Sequence, residues 1–309
     1  MRWQQILESK TVTCHQSRIH PPKTKMAFAF QRHCWAHPVL RHLVKLRESA
    51  KPRGVPEDIQ TQIQTCIDCI LARDDYCDEI SSPVSEDIDN LIKESESHPW
   101  KEAHNEGKVE LAVSAAMLSG SLEGTFLKTL VGMSNSKRVL EVGLFTGCGA
   151  LAMAEALPAD GKVVTCELSE YVGDVARKLV DQSPHGKKIE ILIGPAKGSL
   201  EQLAVERQQF DMVFIDANKE GYIDYYKIIM DNDMLTPRGT ILIDNALHGG
   251  QAYLPKDKLQ LDESRIAQSH VMREFNDYVY NDNRVSQVMV PIRDGVMMIR
   301  RKEAFEGEA

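Results

Sequence analysis

Two apolar stretches of this chain end on groups suited to hard cations: FDMVFIDANK reaches Asp216, and GTILIDN closes on Asp244 and Asn245. Two carboxylates and an amide at one edge of a parallel sheet offer the oxygen ligands that a divalent cation such as magnesium takes. Lys219 follows Asp216 in the same strand-to-helix turn, where a bound cation would depress the amine's pKa towards use as a general base. Upstream, VLEVGLFTGCG places Gly143, Gly147 and Gly149 after another apolar run, and Glu167 ends the next one. A glycine turn lets backbone approach a nucleotide-type ligand, and an acid about 20 residues further on accepts from ribose hydroxyls. The spacing Gly143-x-x-x-Gly147-x-Gly149 differs from the G-x-G-x-x-G of pyrophosphate-binding loops. That register disfavours a nicotinamide dinucleotide and suits an adenosine with an amino-acid tail, S-adenosylmethionine. Metal and cofactor over the carboxyl ends of one set of strands indicate a metal-assisted transferase.

The elements that must position these groups are legible from periodicity. Short apolar runs at 138–142, 162–167, 189–194, 210–216 and 240–245 alternate with helical patterns such as 150–157 and 171–181. Such alternation predicts a parallel sheet covered on both faces. The end departs from it. Val285 to Ile292, an Arg293-Asp294-Gly295 turn, and Val296 to Arg301 read as an antiparallel hairpin. Ahead of the first strand, helices are expected at 39–47, 56–72 (opened by Pro56, Glu57 and Asp58) and 85–95. The expected division is a basic extension over 1–36, either a targeting segment or unstructured, then a helical region over 37–135, a cofactor-binding core over 136–302 and a tail over 303–309.

Composition limits what the chain can bind. With 309 residues, 42% hydrophobic and 27% charged, it can bury a full core. A net charge of −8 argues against a nucleic-acid partner, which requires a basic face. No apolar run approaches the roughly 20 residues that span a bilayer. Seven scattered cysteines suit a reducing compartment, cytoplasmic, with an organelle as the alternative if the basic segment is a presequence. Cys66 and Cys69 form a C-x-x-C inside a helical pattern with no partner pair for zinc, and are expected as buried helical thiols.

From about His37 to Lys302 the chain resembles the cation-dependent O-methyltransferases of the caffeoyl-CoA and catechol type, within the Rossmann-like class I fold of seven strands. The resemblance is carried by VLEVGLFTGCGALAMAEALPADG, FIDANKEGYIDYY, IDNALHGGQAYLP and PIRDGVMMIRR. Through MLSGSLEG, SPHGKKI and QAYLP it extends to the mycosporine-pathway enzymes that methylate demethyl-4-deoxygadusol. It implies that Asp216, Asp244 and Asn245 hold the cation, usually magnesium. It further implies Lys219 and Asp216 as catalytic residues, Glu123, Gly143, Phe145, Thr146, Gly149, Glu167, Ala196 and Asp216 as contacts to S-adenosylmethionine, Met117 near the transferred methyl, and a homodimer. The chain departs from the family's pattern at Gly149, where a serine is usual, and at Asn218, where an acid is common. The missing serine hydroxyl implies weaker cofactor affinity.

These roles give a reaction in which a vicinal enediol or catechol-like hydroxyl, a small-molecule acceptor, is methylated, with His248, Tyr222 and Tyr253 as candidate walls of the acceptor pocket. Other phenolic acceptors of the caffeoyl-CoA or catechol type, or a non-catalytic S-adenosylmethionine-binding protein, are the alternatives. The basic N-terminal segment lies outside every chemical motif, and termini without packing partners tolerate removal. A chain beginning at Met26 should therefore fold and turn over as the full chain does, checked by solubility and by kcat at saturating cofactor and magnesium.

Overall fold

The computed structural model describes residues 36–259, 261, 263, 266 and 269–304. The segment for which dispensability is expected, 1–24, lies outside them. Seven strands alternate with helices in the order expected from periodicity: β1 (Arg138–Val142), β2 (Lys162–Glu167), β3 (Ile189–Ile193), β4 (Phe210–Ile215), β5 (Leu235–Ile243), β6 (Val285–Val290) and β7 (Val296–Arg301). They form one sheet in the order β3-β2-β1-β4-β5-β7-β6. The first five are mutually parallel, and β7 runs antiparallel to both β5 and β6.

Alternation along each strand divides the core into two layers, because successive side chains point to opposite faces. Val139, Met212, Phe214 and Leu242 pack into one layer, with α3 (Glu86–Ser97), α5 (Gly120–Met133), α6 (Cys148–Ala156) and α7 (Glu170–Val180). Leu140, Val142, Val213, Ile215, Ile241 and Ile243 face the other, with α8 (Ala196–Val205), α9 (Tyr222–Asp231) and α10 (Val271–Tyr280). Each fully buried aliphatic or phenyl side chain contributes about 1.5–3 kcal/mol, so both layers bind the sheet tightly. Glu141 lies on the first face yet is only 1% exposed, a buried acid in the midst of apolar neighbours.

Helix limits follow from caps and breakers. In α3 the Ser85 hydroxyl accepts from Ile88 N at 3.2 Å, and in α7 Ser169 accepts from Val172 N at 3.4 Å, each satisfying a first-turn donor. The second expected helix runs longer than its apolar pattern: α2 spans Glu57–Ile80, since nothing between Ala72 and Pro83 breaks a helix. It packs against α1 (Pro38–Ala50) through Leu40, Ala50, Ile63 and Ile67. The expectation of buried thiols is corrected here. Cys66 and Cys69 do lie in α2 but are exposed, because the Ile63–Ile67 stripe, not the cysteines, turns towards α1. A short α4 (Trp100–Asn105) completes the N-terminal helices. Among the described residues no helix is long and apolar enough to cross a membrane.

The SPHGKKI stretch proves architectural. Lys188 is buried, and its Nζ donates to Ala154 O at 2.9 Å and Leu157 O at 2.7 Å, closing carbonyls left open at the end of α6. Lys188→Met leaves these carbonyls without their donor and should destabilise the fold by about 1–3 kcal/mol, read from urea unfolding at constant m-value.

Candidate active site

Strand register brings the chemical groups to one edge. Gly143 N donates to Cys166 O at 3.1 Å, Asp216 N to Val142 O at 2.8 Å, and Asp244 N to Ile215 O at 3.0 Å. The ladder thus carries one residue past the strand ends, and Asp216, Asp244 and Asn245 leave the sheet side by side. Above them opens a cleft of about 2170 Å³. Met117, Glu123, Gly143, Phe145, Gly149, Glu167, Ala196, Asp216, Lys219, Asp244 and Asn245 all line it, so the structure gathers nearly every residue singled out from the sequence.

Glu167 ends β2 with its carboxylate held from below. Phe145 N donates to Oε2 at 3.0 Å and Ser169 N to Oε1 at 2.9 Å. Burial raises its pKa and these backbone donors oppose the rise. Phe145 takes φ 50 and Gly147 φ 90, so the loop turns sharply beneath the cleft. Beside it, Trp100 stacks at 5.0 Å from Phe145, and His98 hydrogen-bonds the Tyr171 hydroxyl at 3.0 Å. Sequence reasoning missed this bracing; the His98-Pro99-Trp100 run was its only local signal.

Thr146 departs from its expected role. Its side chain is fully buried, its hydroxyl accepts from Ser95 Oγ at 2.8 Å, and it is absent from the cleft lining. It ties the glycine loop to α3. Gly149 acquires a local reason as well, since a β-carbon there would lie 2.8 Å from Glu141 Oε1. Burial pushes the Glu141 carboxyl up to about 8, while Thr165 Oγ1 donates to it at 2.5 Å.

At the centre, Lys219 Nζ donates to Asp216 Oδ1 at 2.9 Å and to Tyr222 Oη at 2.6 Å. Tyr222 Oη in turn donates to Asp244 O at 3.3 Å. The expected acceptor-wall role of Tyr222 is therefore corrected: it is fully buried and outside the cleft lining, joining the turns after β4 and β5 from behind. His248 and Tyr253 also lie outside that lining. Burial works against the ammonium, but Tyr222, Asp216 and Asp244 outweigh it and hold Lys219 above the usual lysine range.

Glu123 and Asp244 are both 5% exposed. Burial first, then repulsion from Asp216, raises Glu123; burial, then repulsion from Glu123 and Asp216, raises Asp244. Glu123 Oε1 and Asp244 Oδ1 are buried and receive no N–H or O–H donor, while the two carboxyls lie close enough for Asp244 to oppose the rise of Glu123 through a side-chain hydrogen bond. Such oxygens mark a place that a cation or proton completes. Among the described residues no group of three or more His, Cys, Asp or Glu side chains is arranged to hold a metal; the set available is two aspartates and the Asn245 amide, and its oxygen chemistry fits a hard divalent cation.

A mostly parallel seven-stranded sheet with a reversed last strand, a glycine loop after β1 and an acid ending β2 defines a class I, Rossmann-like methyltransferase. Residues 93–302 match a family described as O-methyltransferase. Over 219 residues the chain is 30% identical to caffeoyl-CoA O-methyltransferase 5 of Nicotiana tabacum, covering 70% of this chain and 84% of that protein. It is 28% identical to caffeoyl-CoA O-methyltransferase 1 of Arabidopsis thaliana, covering 70% and 78%. The SAH-bound methyltransferase PaMTH1 of Podospora anserina superposes with a TM-score of 0.66 at 25% identity, over 76% of this chain and 96% of that one. The chain belongs to this O-methyltransferase family, and is an S-adenosylmethionine-dependent enzyme that transfers a methyl group to oxygen.

We propose Glu167 as the acceptor of the cofactor's ribose hydroxyls; hydrogen bonds to a charged group are worth roughly 1.5–3 kcal/mol each. Glu167→Ala should lower S-adenosylmethionine affinity more than about tenfold with little change in acceptor KM, measured by calorimetry and steady-state kinetics.

Proposed function

We propose that this enzyme is a divalent-cation-dependent O-methyltransferase of a small vicinal enediol or catechol-like diol, with demethyl-4-deoxygadusol as the acceptor. The observation that carries the cation is the pair of buried carboxyl oxygens of Glu123 and Asp244 that receive no N–H or O–H donor, beside Asp216. An unsatisfied buried acceptor costs about 1–3 kcal/mol, more when charged, and a hard cation offsets that penalty. Asp216, Asp244 and Asn245 are the ligands on this reading. When bound, the cation supplies Lewis acidity that lowers a hydroxyl's pKa, and S-adenosylmethionine supplies the electrophilic methyl.

The protein's own contribution is mostly placement. Glu167 and the Gly143–Gly149 backbone fix the donor at one end of the cleft. Lys219, steadied by Tyr222, holds its Nζ beside Asp216 as an ammonium that orients the acceptor oxygen; it would receive the hydroxyl proton only where the charge of a bound cation lowers its pKa to the neutral amine. Alignment of two reactants at near-attack distance removes about 7–11 kcal/mol of barrier, whereas a general base contributes typically 10²–10⁴-fold, so positioning is the larger effect. Tyr225 donates to Asn218 Oδ1 at 2.6 Å, fixing the turn that carries Lys219. The reading implies a small-molecule acceptor and a second copy of the chain as partners. A second reading, an acceptor of the phenolic type, is supported by the caffeoyl-CoA O-methyltransferases at 28–30% identity.

Excess chelator should abolish methyl transfer to demethyl-4-deoxygadusol, with magnesium or manganese restoring it. Calorimetry should show the wild type binding manganese and Asp244→Ala losing that binding, since an anionic ligand of a hard-cation site is removed. Full activity in chelator would sink the cation assignment.

A further inference from the structure

Two further parts of the chain wall the cleft. One is the α1–α2 pair, which contributes His37, Arg73 and Asp74 and lies ahead of residue 93, where the family match begins. The other is the β6–β7 turn. That turn is clamped to the loop after Asn245: Ala246 N donates to Gly295 O at 2.8 Å, Leu247 N to Asp294 O at 2.9 Å, and Gly249 N to Asp294 Oδ1 at 2.7 Å. Arg293 stands in the turn at φ 49, a conformation that non-glycine residues adopt at some cost and chiefly at functional positions.

The Arg293 side chain is 20% exposed and lines the cleft. Its Nη2 meets Asp78 Oδ1 of α2 at 3.2 Å, long for a charge-assisted hydrogen bond. Asp78 is 38% exposed, so this ion pair is weak and readily exchanged. Arg293 Nε has no hydrogen-bond partner. The neighbouring acids are engaged elsewhere: Asp74 with His37 and Arg73, and Asp294 with Gly249 N. The Arg293 charge also acts on Glu123, opposing the rise in its pKa, which puts the guanidinium within electrostatic reach of the reacting centre.

We propose that Arg293 determines acceptor specificity: it exchanges Asp78 for a carboxylate on the diol, so that the enzyme selects an anionic acceptor. The inference rests on the diol O-methyltransferase reading above in its phenolic form, with a carboxylated catechol as acceptor, because demethyl-4-deoxygadusol carries no carboxylate. A guanidinium offers five donors in a planar fork that matches a carboxylate, and here one is engaged, by a long contact with a half-exposed partner.

The test uses the full chain with S-adenosylmethionine, magnesium and two near-isosteric catechols, 3,4-dihydroxybenzoate and 3,4-dihydroxybenzamide, which differ by one charge. The benzoate should show a KM roughly tenfold lower, and Arg293→Met should raise that KM by about the same factor, leaving the amide's KM and both kcat values nearly unchanged. Asp78→Asn, which frees Arg293 without removing it, should lower the benzoate KM and provides the test should Arg293→Met fold poorly. Equal KM values for the two catechols in the wild type, equal impairment of both by Arg293→Met, or a benzoate KM unimproved by Asp78→Asn would overturn the proposal while leaving the diol reading intact. No transfer to either catechol by protein that binds S-adenosylmethionine would overturn the diol reading in its phenolic form, and this inference with it.

Discussion

Everything chemical in this protein depends on how closely two chain segments pass at the top of the sheet. At Gly143 the backbone takes φ 106, and a β-carbon would lie 2.2 Å from the carbonyl oxygen of Asp216. No other residue type fits without moving one segment. Because β1 and β4 are in parallel register up to Val142 and Ile215, this contact places the glycine loop directly against the turn that carries Asp216 and Lys219. The glycine loop and the turn with Asp216 and Lys219 are therefore adjacent for a steric reason, set by the absence of one carbon.

Around that contact the molecule concentrates ionisable groups in a place where burial penalises charge. Glu123, Asp244 and Glu141 are each 5% exposed or less, and all are raised above the usual carboxylate range. Lys219 is held as an ammonium by its neighbours. The structure tolerates this because Tyr222 ties the two loops together from the core side, edge-on to Phe275 with ring centroids 5.5 Å apart. A buried aromatic pair of this kind adds about 0.5–1.5 kcal/mol beyond its area, and its rigidity fixes the lysine. Raised carboxyls and a tethered amine together make a centre whose charge shifts with any proton or cation that enters it.

The two ends of the cleft have different origins. The donor end is built from strand termini and the first turns of core helices, all inside residues 93–302 of the O-methyltransferase family. Part of the cleft wall comes instead from α1 and α2, which share a small apolar cluster of their own and reach the sheet domain through polar contacts such as Arg41 Nη2 to Gly249 O at 2.6 Å.

Much of this was readable in the residues alone. Alternating apolar runs predicted six of the seven strands to within two residues, while β5 begins five residues before its expected start at 240. The Asp-Gly turn predicted the reversed final strand and the glycine spacing disfavoured a dinucleotide, because period, turn chemistry and loop register are local properties of the chain. Side-chain direction is not local. Thr146 sits inside the glycine loop yet faces α3, Tyr222 follows Lys219 by three residues yet lies behind it, and Cys66 and Cys69 face solvent where an apolar helix suggested burial. Gly149 was read as a lost hydroxyl, whereas the space above it belongs to Glu141 from a strand that passes beneath. Arg293 and Asp78 are 215 residues apart, and no spacing rule connects them. Their meeting was decided by where α2 and the β6–β7 turn come together in the tertiary structure, since loop clamps and buried charge, rather than sequence neighbours, set which groups face the cleft.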